Sequence, residues 1–339
     1  MYSKDIDILN VILILISLAL AFHLPFGLFI FSYAFLGPLH YLTEINWLKE
    51  KNYFIKQTNW IWVYVVLAFI ISIPVLFKLF DSLNKNATIL HISKFINESV
   101  DEMIMIAILV TIGLIYFKQR RSLILFLIIS VAASMVFLNY FPTIALQITL
   151  FIPTIIHVYL FTLLFMIYGT INSKSTPGII AIVLLFLAPI IIIVSKTNAS
   201  EYNSTISDFT LNAMNSSTFL NVNHGIATFF VPQQEAQSQL LSSLGIKIQI
   251  FIAFAYTYHY LNWFSKTSII QWNKNLSKSK IIAIITIWIF SIALYLYNFK
   301  IGFIALSSLS LIHVFLEFPL NATSIKGIFI KIKSKFISQ

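Results

Sequence analysis

His40 is followed one helical turn later by Glu44, in Leu39-His40-Tyr41-Leu42-Thr43-Glu44. His313 is followed in the same way by Glu317, in His313-Val314-Phe315-Leu316-Glu317. Residues four apart share a helix face, so each pair aims an imidazole and a carboxylate in one direction. Such a pair can bind a hard or borderline cation, or the carboxylate can hold the histidine's other ring nitrogen. His157 and His259 also fall inside long apolar runs, whereas His23, His91 and His224 fall at an outer helix end or in outer connections. Ionisable side chains within a bilayer are costly, turn toward the bundle interior and mark functional sites. Glu44 and Glu317 are the only acids in the apolar runs proper, apart from Asp101 and Glu102 at an outer end. The competing reading is structural: buried histidines bridge helices, and a glutamate near an inner end reaches the interface or pairs with Lys49 or Lys326.

The donor set narrows the chemistry. The chain has no cysteine, which excludes disulfides, thiolate metal sites, iron–sulfur clusters and cysteine nucleophiles. Histidine and carboxylate donors suit Fe(II), Zn or Mn. A structural zinc is closed by four ligands, whereas histidines with carboxylates leave a position open for oxygen activation or hydrolysis. The expected metal ligands are His40, His157, His259 and His313, with Glu44 and Glu317 as catalytic carboxylates or further ligands. A haem held by His157 and one other histidine is an alternative. Tyr41, Tyr258 and Tyr260 flank the histidines as the expected substrate-lining residues. With Tyr33, Tyr256, Trp47 and Trp263 they form walls suited to a long apolar or conjugated ligand. Trp47, Trp263 and Trp272 also fit the aromatic belt of a membrane interface.

The elements that must position these groups are membrane spans. Of 339 residues, 59% are hydrophobic and 10% charged, against about 45–50% and about 25% in soluble domains. Soluble enzyme folds and disordered chains are excluded on that basis, and the basic residues sit in short connections between apolar runs, where they set membrane orientation and speak against nucleic-acid binding. A hydrocarbon core takes about 20 apolar residues in a helix, which predicts an all-α, polytopic membrane bundle in a single domain. Its ten spans run about 8–23, 27–48, 59–80, 99–117, 122–139, 143–169, 178–195, 246–264, 281–298 and 301–320. The first is read as an uncleaved helix, since Lys4 between acids makes a poor cationic leader.

With both termini cytoplasmic, only Lys78, Lys85, Lys94, Lys196, Lys247 and Lys300 lie outside, leaving 16 of the 22 basic residues within. This asymmetry follows the positive-inside rule. At about 1.5 Å of rise per residue, His40, His259 and His313 stand about 12, 8 and 10 Å from the inner ends of their spans, and His157 about 18 Å. Three remote segments thus set an imidazole in one inner-leaflet layer. Residues 81–98 predict a surface helix. The polar stretch 196–245 predicts an outer loop whose apolar tract Ala227–Pro232 dips into the interface or caps the bundle. Pro38 and Pro153 predict kinks beside His40 and His157. The Ile/Lys/Asn/Phe-rich composition points to an AT-rich bacterial genome, hence a bacterial cytoplasmic (inner) membrane.

Gly37-Pro38-Leu39-His40, with Tyr258-His259-Tyr260-Leu261-Asn262-Trp263 echoing Leu39-His40-Tyr41-Leu42, resembles the Brp/Blh-type bacterial β-carotene-cleaving membrane oxygenases. That resemblance implies a non-haem iron on histidines, with His40, His259, His157 and His313 as the positions carried over, and cleavage of β-carotene by O₂ to retinal. Where that family has a His-x-x-x-His pair, this chain has glutamates, Glu44 and Glu317. The expected function is a non-haem iron oxygenase acting on a lipid-soluble, carotenoid-like substrate. The alternatives are a transporter or envelope-assembly protein that works through its outer loop, and a haem-binding membrane protein.

Overall fold

The structure, a computed structural model, describes residues 3–51, 60–80, 83, 85–203, 206–217, 219–236, 240–271 and 276–337. Among them there is no strand. The helices run in chain order α1 Ser3–His23, α2 Pro25–Phe31, a π-helical turn Ser32–Leu36, α3 Gly37–Lys51, α4 Ile61–Phe77 and α5 Ala87–Glu98. Next come α6 Val100–Tyr116, α7 Arg120–Tyr140, α8 Pro142–Phe151, a second π-helical segment Ile152–Phe161, α9 Thr162–Ser173 and α10 Thr176–Val194. The chain closes with α11 Asp208–Ser216, α12 Phe219–Ala227, α13 Ser243–Ser265, α14 Lys278–Tyr297 and α15 Phe299–Ile337.

Among the described residues, seven helical stretches are long and apolar enough to cross a membrane, or eight if the bent pair α5 and α6 counts as one span. The protein is an all-α polytopic membrane bundle. Each of the ten expected spans coincides with a helix, and the three that do not qualify singly fail for identifiable reasons. Helix α4 has 17 residues and α6 has 17, each short of the full apolar thickness. Helix α13 has 23 residues but carries Lys247, Gln249, Thr257, His259 and Asn262. It is buried on every side, so its neighbours, not lipid, set its composition.

Helix starts follow capping rules. Ser175, Ser207, Ser242 and Ser277 each accept a backbone N–H of the first turn, and Asn86 accepts those of Thr88 and Ile89. Such caps satisfy donors that the helix itself cannot. Pro25 sits at the first turn of α2, where its missing N–H costs nothing, with Leu24 alone separating it from the end of α1.

The helices group into two compact units. The first comprises Met1–His40 and Thr154–Lys300. In it α1 packs on α10 and α13, and α2 on α13. The seam of α1 is Ile6, Asn10, Ile14, Ser17 and Ala21, and that of α10 is Gly178, Ala181, Leu185, Ala188 and Ile192. Small residues at three- and four-residue spacing let membrane helices approach closely, which replaces the hydrophobic drive that lipid removes. Pro189 within α10 cannot donate to the Leu185 carbonyl, and the Tyr159 hydroxyl donates to that oxygen instead at 2.6 Å. Helices α11 and α12 pack on α2 and α13 of this unit, burying Ala213, Met214, Phe219 and Val222. They form the cap, while Phe229 and Phe230 of the apolar tract stay exposed.

At the far end of α13, the Tyr258 and Ser265 hydroxyls donate to Asn10 Oδ1 at 3.1 and 3.2 Å. The half-buried Lys266 ends the helix there; burial pushes its amine down to about 8, and Asp7 pushes it back up.

The second unit comprises Tyr41–Pro153 and Ile301–Gln339. Here α6 packs on α7, α4 and α8. The Tyr64 and Thr111 hydroxyls join α4 to α6 at 2.8 Å, and Gly113 lies directly under the Phe126 ring of α7. Helix α15 runs through Pro319 and continues well past residue 320, the inner limit expected from the apolar run.

Candidate metal centre

Helix α3 opens immediately after the first π-helical turn, with Pro38 at its second residue. Proline lacks the N–H that an α-helix needs. The wider π-turn is a local adjustment that accommodates the loss in membrane helices. Pro153 lies at the start of the second π-helical segment, and His157 lies within it. The kinks expected at both prolines therefore take the form of π-helix, a conformation frequent at functional sites. Each re-aims the side chains that follow it.

In the first unit three histidines meet. His40 and His259 face each other with Nε2 atoms 3.1 Å apart and ring centroids 4.7 Å apart. His157 packs against His259 with centroids 5.0 Å apart. All three are buried. Two nitrogens that share one metal ion at about 2.1 Å each lie about 3.0–3.4 Å apart for coordination angles between a right angle and the tetrahedral value. The His40–His259 separation falls in that interval. No macrocycle fits between rings this close, which removes a haem held by His259 with either partner.

Hydrogen bonding fixes one tautomer in this set. The Thr162 hydroxyl donates to the Val158 carbonyl at 2.9 Å and lies 2.8 Å from His259 Nδ1. Its proton being committed to the carbonyl, the hydroxyl oxygen accepts Nδ1–H. His259 Nε2 then carries a lone pair directed at His40. Metal-binding histidines are commonly oriented this way through their other nitrogen. Trp263 and Tyr260 complete the wall around His40, at centroid distances of 5.5 and 5.2 Å. Trp263 is thus buried packing around an imidazole and not an exposed belt residue.

In the second unit Glu44, His313 and Glu317 are all buried. Tyr41 lies against His313 at 5.7 Å between centroids, and the charge of Glu317 bears on the Glu44 carboxyl group. His313 Nδ1 donates to the Ser310 carbonyl of its own helix. This again makes Nε2 the ring nitrogen with the ligating lone pair. On α3, His40 stands one turn from Glu44, and the ligand atoms of His40, Glu44 and His313 lie within 4.8 Å of one another. The chain therefore carries a buried His/Glu group that could hold a metal ion.

Among the expected lining residues, Tyr41 stands beside His313 and Tyr260 beside both His40 and His259, at 5.2 and 5.5 Å. Tyr258 points elsewhere, with its hydroxyl on Asn10 and its ring stacked on Phe254. Trp272 lies outside the described residues.

Two contributors had no sequence signal. Thr162 is an unremarkable hydroxyl in an apolar run. Phe219 comes from the polar stretch 196–245, yet it inserts between Phe29 and Tyr33 at centroid distances of 4.6 and 4.5 Å. From there the rings continue through Tyr256, 6.2 Å from both Tyr33 and Tyr260, to His40.

No family model, no curated protein and no solved structure matches the chain.

Proposed function

We propose that this chain is an integral membrane metalloenzyme of the bacterial cytoplasmic membrane, a non-haem iron oxygenase acting on a lipid-soluble, carotenoid-like substrate. The observation that carries the reading is the buried group His40, Glu44 and His313, with ligand atoms within 4.8 Å of one another. An acid and two imidazoles in hydrocarbon surroundings are expensive unless they share a cation. Histidine with carboxylate, and no thiolate anywhere in the chain, is a donor set that ferrous iron accepts.

In this reading His40, Glu44 and His313 hold the metal, and His259 and His157 stand beside His40 as further ligands. Thr162 and the Ser310 carbonyl hold His259 and His313 in the tautomer that offers Nε2. Glu317 is the nearby carboxylate that orients a ligand. Tyr41 and Tyr260 wall the site, and the rings of Tyr256, Tyr33 and Phe29, inclined 51–77° to one another, extend a polarisable aromatic lining suited to a conjugated chain. When bound, the iron would supply binding and activation of O₂. The reaction implied by the resemblance is balanced without an external reductant: both atoms of O₂ are added across one C=C bond, which breaks to give two carbonyls. The protein's own task is to exclude water, orient the polyene and hold the ligands in register.

The test is metal analysis of detergent-purified protein, with polyene cleavage followed in air. The expected result is one iron per metal site, aldehyde products, and loss of both in the His40→Ala/His259→Ala double variant and in Glu44→Gln. Protein that elutes as a folded species with no stoichiometric metal overturns the reading. So does full metal retention in the double variant.

A further inference from the structure

We infer that the cleft between α4 and α5 is a binding site for the headgroup of an anionic phospholipid. This site lies wholly in the second unit and is independent of the histidine centre. The cleft encloses about 420 Å³ and is lined by Pro74, Lys78, Leu90, Ser93, Lys94, Asn97 and Glu98. That is the size range of small-molecule pockets.

Depth and orientation come from α5. This helix meets α6 at a bend of 47°. It leaves Leu90, Ile92 and Phe95 exposed beside the charged Lys94 and Glu98. A helix with apolar side chains outward and charges alongside them lies in the plane of the membrane interface. The adjoining cleft is then at headgroup level, with the exposed Leu90 facing the start of the acyl chains.

Charge selects the headgroup. Lys78 and Lys94 are opposed by Glu98 alone among the lining residues, so the cleft carries one net positive charge. The Lys94–Glu98 pair, 3.8 Å apart and with both side chains mostly exposed, is an exposed ion pair of the kind that contributes little. It leaves Lys94 available to a phosphodiester. Ser93 and Asn97 add hydrogen-bonding groups for the polar part of the head. A headgroup with one net negative charge, such as phosphatidylglycerol, neutralises the cleft, whereas a zwitterionic head leaves it charged.

The experiment adds phosphatidylglycerol, phosphatidylethanolamine or phosphatidylcholine to the detergent-solubilised full chain and counts retained lipid by native mass spectrometry. Phosphatidylglycerol is retained preferentially. Each of Lys78→Gln and Lys94→Gln weakens its binding by about fivefold, the effect of one basic residue near an anionic surface. Glu98→Gln strengthens it, since a like charge is removed. A large excess of inorganic phosphate leaves the bound lipid in place. The inference is overturned if the Lys78→Gln/Lys94→Gln double variant retains phosphatidylglycerol as the wild type does. It is overturned equally if phosphatidylethanolamine is preferred and lost in Glu98→Gln, or if phosphate alone displaces the lipid.

Discussion

His259 presents Nε2 to His40 Nε2 at 3.1 Å while its Nδ1 is held 2.8 Å from the Thr162 hydroxyl. The second contact sets the chemistry of the first, because the hydroxyl fixes which nitrogen bears the proton. Thr162→Val keeps the side chain's shape and removes the acceptor. The expected result is a 10–100-fold loss of metal affinity, typical of losing a ligand-orienting partner. Thr162→Ser, which restores the hydroxyl, should recover most of it. Metal titration of the two purified variants, checked for equal elution, decides this. Equal affinity in Thr162→Val would show that the hydroxyl has no part in orienting the ring.

A metal that binds only the folded chain stabilises it, by about 2.7 kcal/mol when its free concentration is a hundredfold above its dissociation constant. A membrane-permeant chelator should therefore lower the Tm of the wild type. It should leave the Tm of Glu44→Gln and His40→Ala almost unchanged, since those variants have little metal to lose. Thermal scans with and without chelator measure both. A chelator shift of wild-type size in Glu44→Gln would remove that carboxylate from the ligand set.

Gly37 lies beneath the ring that walls His40. A Cβ at this position would meet Tyr260 Oη at 3.3 Å and Cζ at 3.5 Å. The hydroxyl contact is too tight and the ring contact is ordinary. Gly37→Ala should cost about 1 kcal/mol of stability as an overpacking change and displace Tyr260. Adding Tyr260→Phe removes the offending oxygen and should restore most of the lost Tm. If the double variant is no better than Gly37→Ala, the strain lies elsewhere.

Lys266 supplies a pH signature outside the spans. Its amine is lowered to about 8 in the folded chain, against about 10.4 when unfolded. Between these values the unfolded state binds more protons, so stability rises with pH across that window and is flat below about 8. The Tm should climb from about pH 8 to about pH 10, and Lys266→Met should lose that climb. An unchanged slope in Lys266→Met would assign the effect to another group.

The parts of this protein that one helix controls could be read from the chain alone. Apolar runs of bilayer length located the spans, and the four-residue spacing placed Glu44 on the face of His40 and Glu317 on the face of His313. Helical pitch settles such relations without help from any neighbour. Depth along a span is local in the same way, so the common level expected for His40 and His259 agrees with their contact. His157, expected deeper, nevertheless reaches His259 at 5.0 Å between ring centroids, because its π-helical segment and the inclination of packed helices alter where a side chain arrives.

What tertiary structure decided is which remote groups complete each site. Thr162 holds His259, Trp263 is buried against His40, and Phe219 comes from a polar stretch to join the aromatic column. In each case the partners sit on separate helices or far apart in the chain, and their meeting depends on how α13 is packed on all sides. Tyr258 and Tyr260 make the same point within α13, since residues two apart lie on opposite faces of a helix and meet different neighbours. Residue type and spacing establish that costly polar groups lie in the membrane, but only packing determines which of them touch.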